Sequence, residues 1–318
     1  MTNKVEVNYQ GKRSLKRYYE IDSIPIFING RFFKIARVAE EWLYNVKRPD
    51  FIIKELRELR PKIDLFAFRQ IVPYSRPKFS YYYEWENNAV VHIKSYEHWL
   101  KNQLHENSRN KIRIAEKKGV KVKQCEFNDD FVKKMIEIYN ETPIRQGKRY
   151  SRYGADFDTL KKASSTFLEQ SLFLGAFYND ELIGFVKLVN AGSFVRTMGI
   201  LAKIKHHDKA PMNILISKAV EKCAEMGTEY FVYGEFDYGK VGSDSIKDFK
   251  RYNGFEGILL PRYYCPLTLK GKIFMKLNFH HGLTGLIPRP IIRIFINMRK
   301  FYYERTNKYL TKNLQQTK

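Results

Sequence analysis

The stretch Leu172–Leu201, LFLGAFYNDELIGFVKLVNAGSFVRTMGIL, contains three apolar segments in direct succession. The segments are Leu172–Tyr178, Leu182–Val189 and Phe194–Leu201. Asn179 and Asp180 separate the first two segments, and Gly192 lies between the second and the third. These residue types accept the left-handed conformations of tight turns, so segments joined by them pair as antiparallel neighbours. The stretch therefore predicts a three-stranded meander.

A crossover helix follows the meander. Residues 211–226 place an apolar stripe on one helical face, and Gly227 ends the pattern. Tyr230–Tyr233 then predicts a strand that lies parallel to a meander strand, because a helix separates the two. The neighbouring predicted elements are the strand Val120–Cys125, a helix capped by Asn128 or Asp129, the helix Asp156–Glu169, the helix Ser243–Tyr252 and the strand Phe255–Leu260, which Arg262–Thr268 can extend. Together they predict an α+β fold, a mixed β-sheet flanked by helices.

The residues before this region predict a smaller α/β unit. A hairpin is predicted at Ser23–Val38, because Asn29-Gly30 favours a two-residue turn between apolar strands. The other predicted elements of the unit are a helix at 50–60, a strand at Asp64–Val72 and two short strands in Tyr81–Ile93 around Asn87-Asn88.

A helix is predicted to connect this unit to the central region. It begins with Ser95 as its cap, continues to Lys118 and ends at Gly119. We therefore divide the chain into three parts. They are an N-terminal unit at 1–94, a central domain at 95–266 and a C-terminal tail at 267–318.

The tail is strongly basic. Residues 267–318 contain 11 basic and 1 acidic side chains, so 11 − 1 gives +10 of the chain's net charge of +23. A helix is predicted to start near Ile291, after Pro288 and Pro290. Its apolar side carries Ile291, Ile292, Phe295, Met298, Tyr302 and Tyr309, and its charge comes from Arg293, Arg299, Lys300, Arg305 and Lys308. Such a helix is typical of contact with an anionic membrane through 290–310, of a grip on RNA phosphates, or of a helix docked on its own domain.

The composition favours anionic partners and a reducing compartment. Lys and Arg number 57 against 34 Asp and Glu, and a surplus of this size attracts nucleic acid, nucleotide phosphates or acidic lipid. The three cysteines have no CxxC spacing, which argues against a disulfide scaffold and a structural zinc site. The sequence has neither an apolar signal segment at its start nor a run of about 18 apolar residues. We expect a cytoplasmic protein that can associate with a membrane.

Two motifs carry a resemblance to a known family. Residues 107–120, NSRNKIRIAEKKGV, and Phe249–Phe255, FKRYNGF, resemble the Fem-type branch of the GNAT acyltransferase superfamily, whose members often act on cell-envelope acceptors. The order of elements over 119–266 is similar to the same fold. The resemblance covers residues 95–266, about half the chain. It implies a GNAT-like transferase domain there, and it implies that residues 1–94 are a degenerate half of the same type.

The resemblance assigns catalytic roles to three residues. Lys250 occupies the position of a general acid in many GNAT enzymes, and it would place a positive charge near the reacting carbonyl. The alternative is a solvated helix lysine in the basic cluster of Lys247, Lys250 and Arg251. Glu235 and Asp237 follow the strand beside the donor cleft, where a carboxylate could act as a base. The alternative for both is a polar loop that faces water.

A donor site is implied at the end of the meander. The backbone of Met198, Gly199, Ile200 and Leu201 would pair with a pantetheine arm or a similar tail of the donor, or remain a plain core strand. Phosphates would bind at Lys209, Ala210, Met212 and Asn213, where Pro211 opens the crossover helix. This turn lacks the glycines of many coenzyme A-binding members.

An acceptor site is implied in the loop between the first two helices of the fold. Its candidates are Arg145, Arg149, Tyr150, Arg152 and Tyr153, since arginine recognises carboxylate or phosphate with a fixed fork. A basic surface loop is the alternative. The pairs His206-His207 and His280-His281 have no supporting ligand spacing, so we expect no metal.

Three functions remain in competition. The first is an N-acyltransferase that moves an acyl group from acyl-CoA, its donor substrate, to an amine on a small molecule, an envelope precursor or a sugar. The second keeps the fold and takes aminoacyl-tRNA as the donor. The third is a non-enzymatic protein that binds membranes or nucleic acid and carries a decayed transferase domain.

Overall fold

A computed structural model of the chain describes residues 3–9, 12–145, 147–238, 244–282, 290–299 and 301–303. The chain divides into two compact units. Unit 1 comprises Met1–Asn88 and Gly257–Pro288, and unit 2 comprises Ala89–Glu256 and Arg289–Lys318. Residues 257–266 thus group with the N-terminal residues rather than with the central domain, because strand 256–266 pairs with strand 65–69.

Among its described residues, unit 1 contains a mixed sheet and two α-helices. Its strands are β1 (Asn3–Tyr9), β2 (Lys12–Ile21), β3 (Ile24–Asn29), β4 (Ile35–Val38), β5 (Leu65–Arg69), the first part of β6 (Tyr83–His92) and β14 (Glu256–Pro266). They lie in the order β1-β2-β3-β4-β5-β14-β6. The helices are α1 (Pro49–Glu58) and α8 (Leu269–Lys276). The predicted hairpin is present as β3 and β4, but its connection spans residues 30–34 rather than a two-residue turn.

Unit 2 is the meander and its helices. Its further strands are β7 (Lys121–Cys125), β8 (Ile144–Arg145), β9 (Lys148–Arg149), β10 (Ser171–Tyr178), β11 (Glu181–Asn190), β12 (Val195–Ala202) and β13 (Tyr230–Val232). Its helices are α2 (Tyr96–His98), α3 (Glu106–Lys117), α4 (Asp129–Tyr139), α5 (Phe157–Ser164), α6 (Pro211–Glu225) and α7 (Asp244–Tyr252). The main sheet runs β6-β13-β12-β11-β10-β7, and β12 and β13 form its parallel pair.

Helices cover both faces of the meander, which confirms the predicted α+β fold. Leu174 and Val186 share a core cluster with Leu215 of α6. Phe173 and Phe185, one position away on the same strands, share another with residues of α4 and α5. Because neighbouring residues of a strand point to opposite faces, strands covered on both sides are apolar throughout. This explains why the meander appeared as three continuous apolar segments.

Three further predicted elements differ in the structure. The predicted helix Asp156–Glu169 ends at Ser164, before a separate 3-10 turn at Leu168–Gln170. Residues 83–92 form one strand instead of two, since Asn88 is buried within it and accepts a bond from Arg69 Nη1 at 3.5 Å. The predicted helix Ser95–Lys118 is broken at Leu104, after a π-helical turn at Trp99–Gln103. Trp99 is fully buried, and its indole nitrogen donates to the carbonyl of Asn253 at 3.1 Å.

The predicted C-terminal helix is present over 290–299 and 301–303. Ile294, Phe295 and Met298 each keep more than half of their surface exposed, whereas Ile292 and Ile296 are half-buried. The membrane contact, the RNA contact and the docked helix all stay predictions for this segment. Tyr309, Lys300, Arg305 and Lys308 lie outside the described residues. Among the residues that the structure describes, no helix is long and apolar enough to cross a bilayer.

Gly254 offers a test of the packing at the end of α7. Its φ of +79° favours glycine, and an added Cβ would lie 2.9 Å from the Trp99 indole nitrogen and 3.1 Å from a backbone oxygen. We expect Gly254→Ala to lower the free energy of unfolding by about 2–4 kcal/mol, from backbone strain and overpacking combined. Gly227→Ala is the matched control, because its φ is +67° but nothing lies within 4 Å of its Cβ. It should cost about 1 kcal/mol in the same denaturant titration, and equal costs would contradict the role of packing.

Candidate active site

The candidate site lies where two parallel strands of unit 2 separate. β12 and β13 pair only at Val195 with Phe231 and at Arg196 with Val232, among the described residues. The next residue, Tyr233, donates its amide to Ala89 on β6 at 2.8 Å. β12 continues to Ala202. The strands therefore form a fork at Arg196, beyond which β12 does not pair with β13 among the described residues. We call the region around this point the fork site.

A bulge shapes the β12 side of the fork. Lys187 of β11 pairs with Gly199 and Leu188 pairs with Thr197, so Met198 is the extra residue. Met198, Gly199, Ile200 and Leu201 are half-buried. A Cβ built on Gly199 would meet nothing within 4 Å, so there is room beside the strand. The four residues therefore lie where a donor could run along the strand, and that binding role stays a prediction.

Lys250 of α7 points into the fork site and is 0% exposed. Its ammonium donates to the carbonyl oxygen of Glu235, and the Tyr238 hydroxyl lies 3.4 Å away. The aromatic rings of Tyr233 and Tyr238 flank the ammonium, with centroids at 4.8 and 4.5 Å. These distances favour a cation, because the faces of aromatic rings carry partial negative charge. Lys250 is therefore not a solvated surface lysine.

The surroundings lower the pKa of Lys250 to about 8. Burial is the main cause, the charge of Glu235 opposes it, and Arg196 adds to it. The pKa of the Tyr238 hydroxyl is raised, first by burial and then by Glu235, while Arg196 lowers it. A lysine with this pKa is largely protonated at neutral pH and releases its proton readily. It can therefore stabilise a developing oxyanion and also transfer a proton.

The two predicted carboxylates differ in position. Glu235 is exposed, and it acts on the pKa of both Lys250 and Tyr238, which places it at the fork. Asp237 accepts a bond from Lys247 Nζ at 2.8 Å, and both side chains are more than 40% exposed. The structure therefore brings Glu235 to Lys250 and directs Asp237 toward a surface ion pair.

The start of α6 offers few amides to a phosphate. Pro211 has no amide hydrogen, the amide of Ala210 donates to His207 O at 3.1 Å, and that of Asn213 donates to Ala210 O at 3.1 Å. Of these four residues, only Met212 could present an amide proton to an anion. Lys209 lies 4.7 Å above the Tyr178 ring and 3.2 Å from Asp208. Its charge is therefore already paired.

The Asn213 side chain takes part in packing instead. It is 4% exposed, and its amide nitrogen lies 3.3 Å from both Ser108 Oγ and Asn253 Oδ1. Ser108 belongs to the first resemblance motif and Asn253 to the second. The two motifs thus meet at Asn213 and form one buried polar junction.

The predicted acceptor loop is largely committed to its own packing. Arg145 donates to Ala202 O at 3.0 Å and Ile138 O at 2.8 Å, and it pairs with Glu141. Arg152 donates to the Tyr139 hydroxyl at 3.0 Å. Tyr150 stacks on Tyr139, and burial raises its pKa. Arg149 and Tyr153 are the exposed members of the predicted set. Recognition of an acceptor by this loop stays a prediction, and these two side chains are the ones available for it.

Sequence reasoning missed several residues of the fork site. Tyr233 and Tyr238 flank Lys250, and the charge of Arg196 lowers its pKa, yet none of the three belongs to a motif that we had singled out. The available signal was the pair of tyrosines on either side of Glu235, since aromatic rings close to a lysine can hold its charge. Lys187 was missed as well. Burial lowers its pKa to about 8, and its ammonium donates to Ser164 O at 2.7 Å, which makes it a cap for the end of α5.

The histidine pairs behave differently from each other. His206 Nε2 lies 3.0 Å from Glu181 in a cluster with Lys203. His280 and His281 of unit 1 place their Nε2 atoms 3.0 and 3.1 Å from one oxygen of Glu84. Within the part of the chain that the structure describes, this trio is the one group of three that could ligate a metal. Its distances are also those of ordinary hydrogen bonds, so the trio alone decides nothing about a metal.

The comparisons with known proteins identify the fold. No family model matches the sequence, and no curated protein matches it. Among solved structures, FemX matches with a TM-score of 0.57 at 11% identity, covering 86% of this chain and 90% of its own. The C-terminal domain of a protein described as a lysylphosphatidylglycerol synthetase from Agrobacterium fabrum matches at 0.55 and 16%, covering 83% and 88%. A conserved protein of unknown function from Bacteroides thetaiotaomicron matches at 0.54 and 11%, covering 79% and 86%. The chain therefore has the predicted GNAT-like fold.

The lowered pKa of Lys250 predicts a pH dependence of stability. Its pKa of about 8 in the folded chain lies below the ordinary lysine pKa of 10.5, so the unfolded chain binds more protons between these pH values. Lys250 therefore makes the free energy of unfolding rise with pH across this window, by about 1–3 kcal/mol. Lys250→Met should remove this part of the rise in denaturant titrations at pH 7.5 and pH 10. Lys111→Met, at an exposed position, controls for the loss of one charge. An unchanged slope in Lys250→Met would refute the shift.

Proposed function

We propose that this protein is a transferase that moves an aminoacyl group from tRNA to an amine or hydroxyl on a cell-envelope acceptor. The observation that carries the proposal is the fully buried ammonium of Lys250, held between two aromatic rings where β12 and β13 separate. A positive charge in such a site stabilises an oxyanion more strongly than it would in water. The fold similarity to a lysylphosphatidylglycerol synthetase domain supports a reaction of this class.

The reaction requires three movements of electrons and protons. The acceptor nitrogen or oxygen attacks the ester carbonyl, a new bond forms to carbon, and the carbonyl electrons move onto oxygen. Lys250 stabilises this oxyanion by donating a hydrogen bond. When the intermediate collapses, the bond to the ribose oxygen breaks and that oxygen takes a proton from Lys250. Lys250 regains a proton from the acceptor through Glu235 or water. A pKa of about 8 suits both halves of this exchange.

The choice of tRNA as donor rests on two features. The α6 terminus has a single amide to offer among residues 210–213, whereas a coenzyme A pyrophosphate is best held by several. A net charge of +23 suits a long polyanion, whose phosphates bind through many separated cations.

Acyl-CoA is the second candidate donor, and a different observation favours it. Among the described residues, β12 does not pair with β13 beyond Arg196, and a bulge at Met198 shifts its register against β11 in the same stretch. An extended pantetheine arm could add to this edge as a further strand would. In this alternative the leaving group is a thiolate, which takes the proton from Lys250, and the acceptor is an amine.

The transfer step can be tested at Lys250. We expect Lys250→Met to lower kcat by at least about 100-fold, since the variant loses both the oxyanion contact and the proton source. The assay follows discharge of a pool of aminoacyl-tRNAs in the presence of membrane-lipid and envelope-precursor extracts. Lys247→Met is the matched control, because Lys247 lies on the same helix but in an exposed ion pair with Asp237. Full activity of Lys250→Met would remove this lysine from the mechanism.

The identity of the donor can be tested by calorimetry. Charged tRNA and acetyl-CoA are titrated separately into the protein at two salt concentrations. We expect tRNA to bind with an affinity that falls steeply with salt, and acetyl-CoA to bind weakly or not at all. Saturable acetyl-CoA binding without tRNA binding would establish the second candidate. If neither donor binds, the non-enzymatic hypothesis becomes the better one.

A further inference from the structure

Helix α8 of unit 1 exposes a line of apolar side chains. Leu269, Ile273 and Leu277 are 77%, 57% and 52% exposed, and they are spaced four residues apart. This spacing places all three on one helical face. Large apolar side chains scattered singly on a surface need no explanation, but a contiguous row of them marks an interaction surface.

The orientation of this helix is fixed by its opposite side. Thr268 caps the helix through the amide of Gly271 at 3.0 Å, and its hydroxyl donates to Asp64 at 2.9 Å. Gly271 is buried so tightly that an added Cβ would lie 2.0 Å from the carbonyl oxygen of Asp64. Phe274 stacks on Phe33 with centroids 4.3 Å apart. The row of apolar residues is therefore held outward by the packing of the helix.

The loop between β3 and β4 extends the same surface. Phe32 is 74% exposed, and its ring centroid lies 6.2 Å from that of Phe274. Lys270 ties the loop to the helix, since its ammonium donates to the carbonyl of Phe32 and lies 3.8 Å above the Phe32 ring. We call the surface formed by Phe32, Leu269, Lys272, Ile273, Lys276 and Leu277 the α8 face.

The charges of the α8 face are all positive. Lys272 and Lys276 are exposed between the apolar residues. No Asp or Glu occurs in the sequence between Glu256 and Glu304. The two lysines also line a cavity of about 560 Å³, together with Arg57 and the carboxylate of Asp50. A lipid phosphate in this cavity would therefore meet three cations and one carboxylate, a net positive charge.

We infer that the α8 face binds the surface of an anionic bilayer. Its apolar side chains would enter the boundary between headgroups and acyl chains, while the two lysines reach back to lipid phosphates. Both parts of the surface are needed for this partner. An RNA would use the lysines and leave four large apolar side chains in water, and a neutral apolar partner would leave the lysines unpaired. The inference does not depend on the proposed reaction.

The test is a vesicle-binding measurement on the full-length protein. Vesicles of phosphatidylcholine alone are compared with vesicles that contain about 30% phosphatidylglycerol, and the bound fraction gives a partition coefficient. We expect the wild type to prefer the anionic vesicles. The triple variant Leu269→Ser, Ile273→Ser, Leu277→Ser should partition at least about tenfold more weakly. The double variant Lys272→Glu, Lys276→Glu should lose the preference for anionic lipid.

Matched controls separate this surface from general effects of charge and apolar area. Ile114, Ile204 and Met226 of unit 2 are 41–44% exposed, and their triple serine variant should bind vesicles as the wild type does. Lys111→Glu with Lys133→Glu changes the net charge by the same amount at exposed positions. Thermal unfolding midpoints confirm that each variant is folded.

Three results would overturn the inference. They are absence of vesicle binding by the wild type, partitioning of the α8 triple variant within twofold of the wild type, and loss of tRNA affinity rather than vesicle affinity in the lysine variant. The second result would mean that any membrane contact is made by the C-terminal helix instead of the α8 face. The proposed transfer reaction is tested separately, by the discharge of aminoacyl-tRNA in Lys250→Met. The failure of the membrane inference can therefore be distinguished from the failure of the proposed function.

Discussion

The buried polar junction at Asn213 is the constraint on which unit 2 depends. The side-chain amide of Asn213 joins Ser108 of α3 to Asn253, which follows α7 and is completely buried. The Asn253 carbonyl in turn accepts the indole hydrogen of Trp99. Buried amides must find partners, and a unique set of partners admits one arrangement of the segments that supply them. Three helices far apart in sequence are thereby fixed at one point.

The position of Lys250 follows from this junction. Lys250 lies three residues before Asn253, and its carbonyl accepts the amides of both Asn253 and Phe255. The end of α7 is thus held from one side by polar bonds, while the ammonium extends the other way, toward the Glu235 carbonyl. Burying a charged group costs free energy, and hydration favours a conformation in which the side chain is exposed. The charged group therefore stays buried only if its backbone is held in place. The second resemblance motif therefore contains Lys250, and both motifs contribute residues to the junction that holds its backbone in place.

Local sequence patterns predicted the helices and strands. Contacts between residues far apart in sequence determine the features that local patterns did not predict. The meander and its helices follow from apolar periodicity and from turn residues such as Asn179, which act within a few positions. Asn88 looked like a turn residue, but it is buried within a strand, and its side-chain oxygen lies 3.5 Å from Arg69 Nη1. In the candidate site, Lys250 could be anticipated from a motif. Arg145 could not be excluded from the acceptor set in advance, because its carbonyl partners become neighbours only after folding.

The enclosure of Lys250 separates its reactivity from its accessibility. With a pKa of about 8, this amine would be among the stronger nucleophiles of the chain in mildly alkaline solution, and yet none of its surface meets solvent. Tyr238 lies against the ammonium and is itself 40% exposed, so its ring separates the ammonium from solvent on that side. A molecule that takes the place of this contact must displace the Tyr238 ring from the ammonium. The rate at which an amine-specific reagent labels Lys250 would then measure how often the Tyr238 ring moves and exposes the amine.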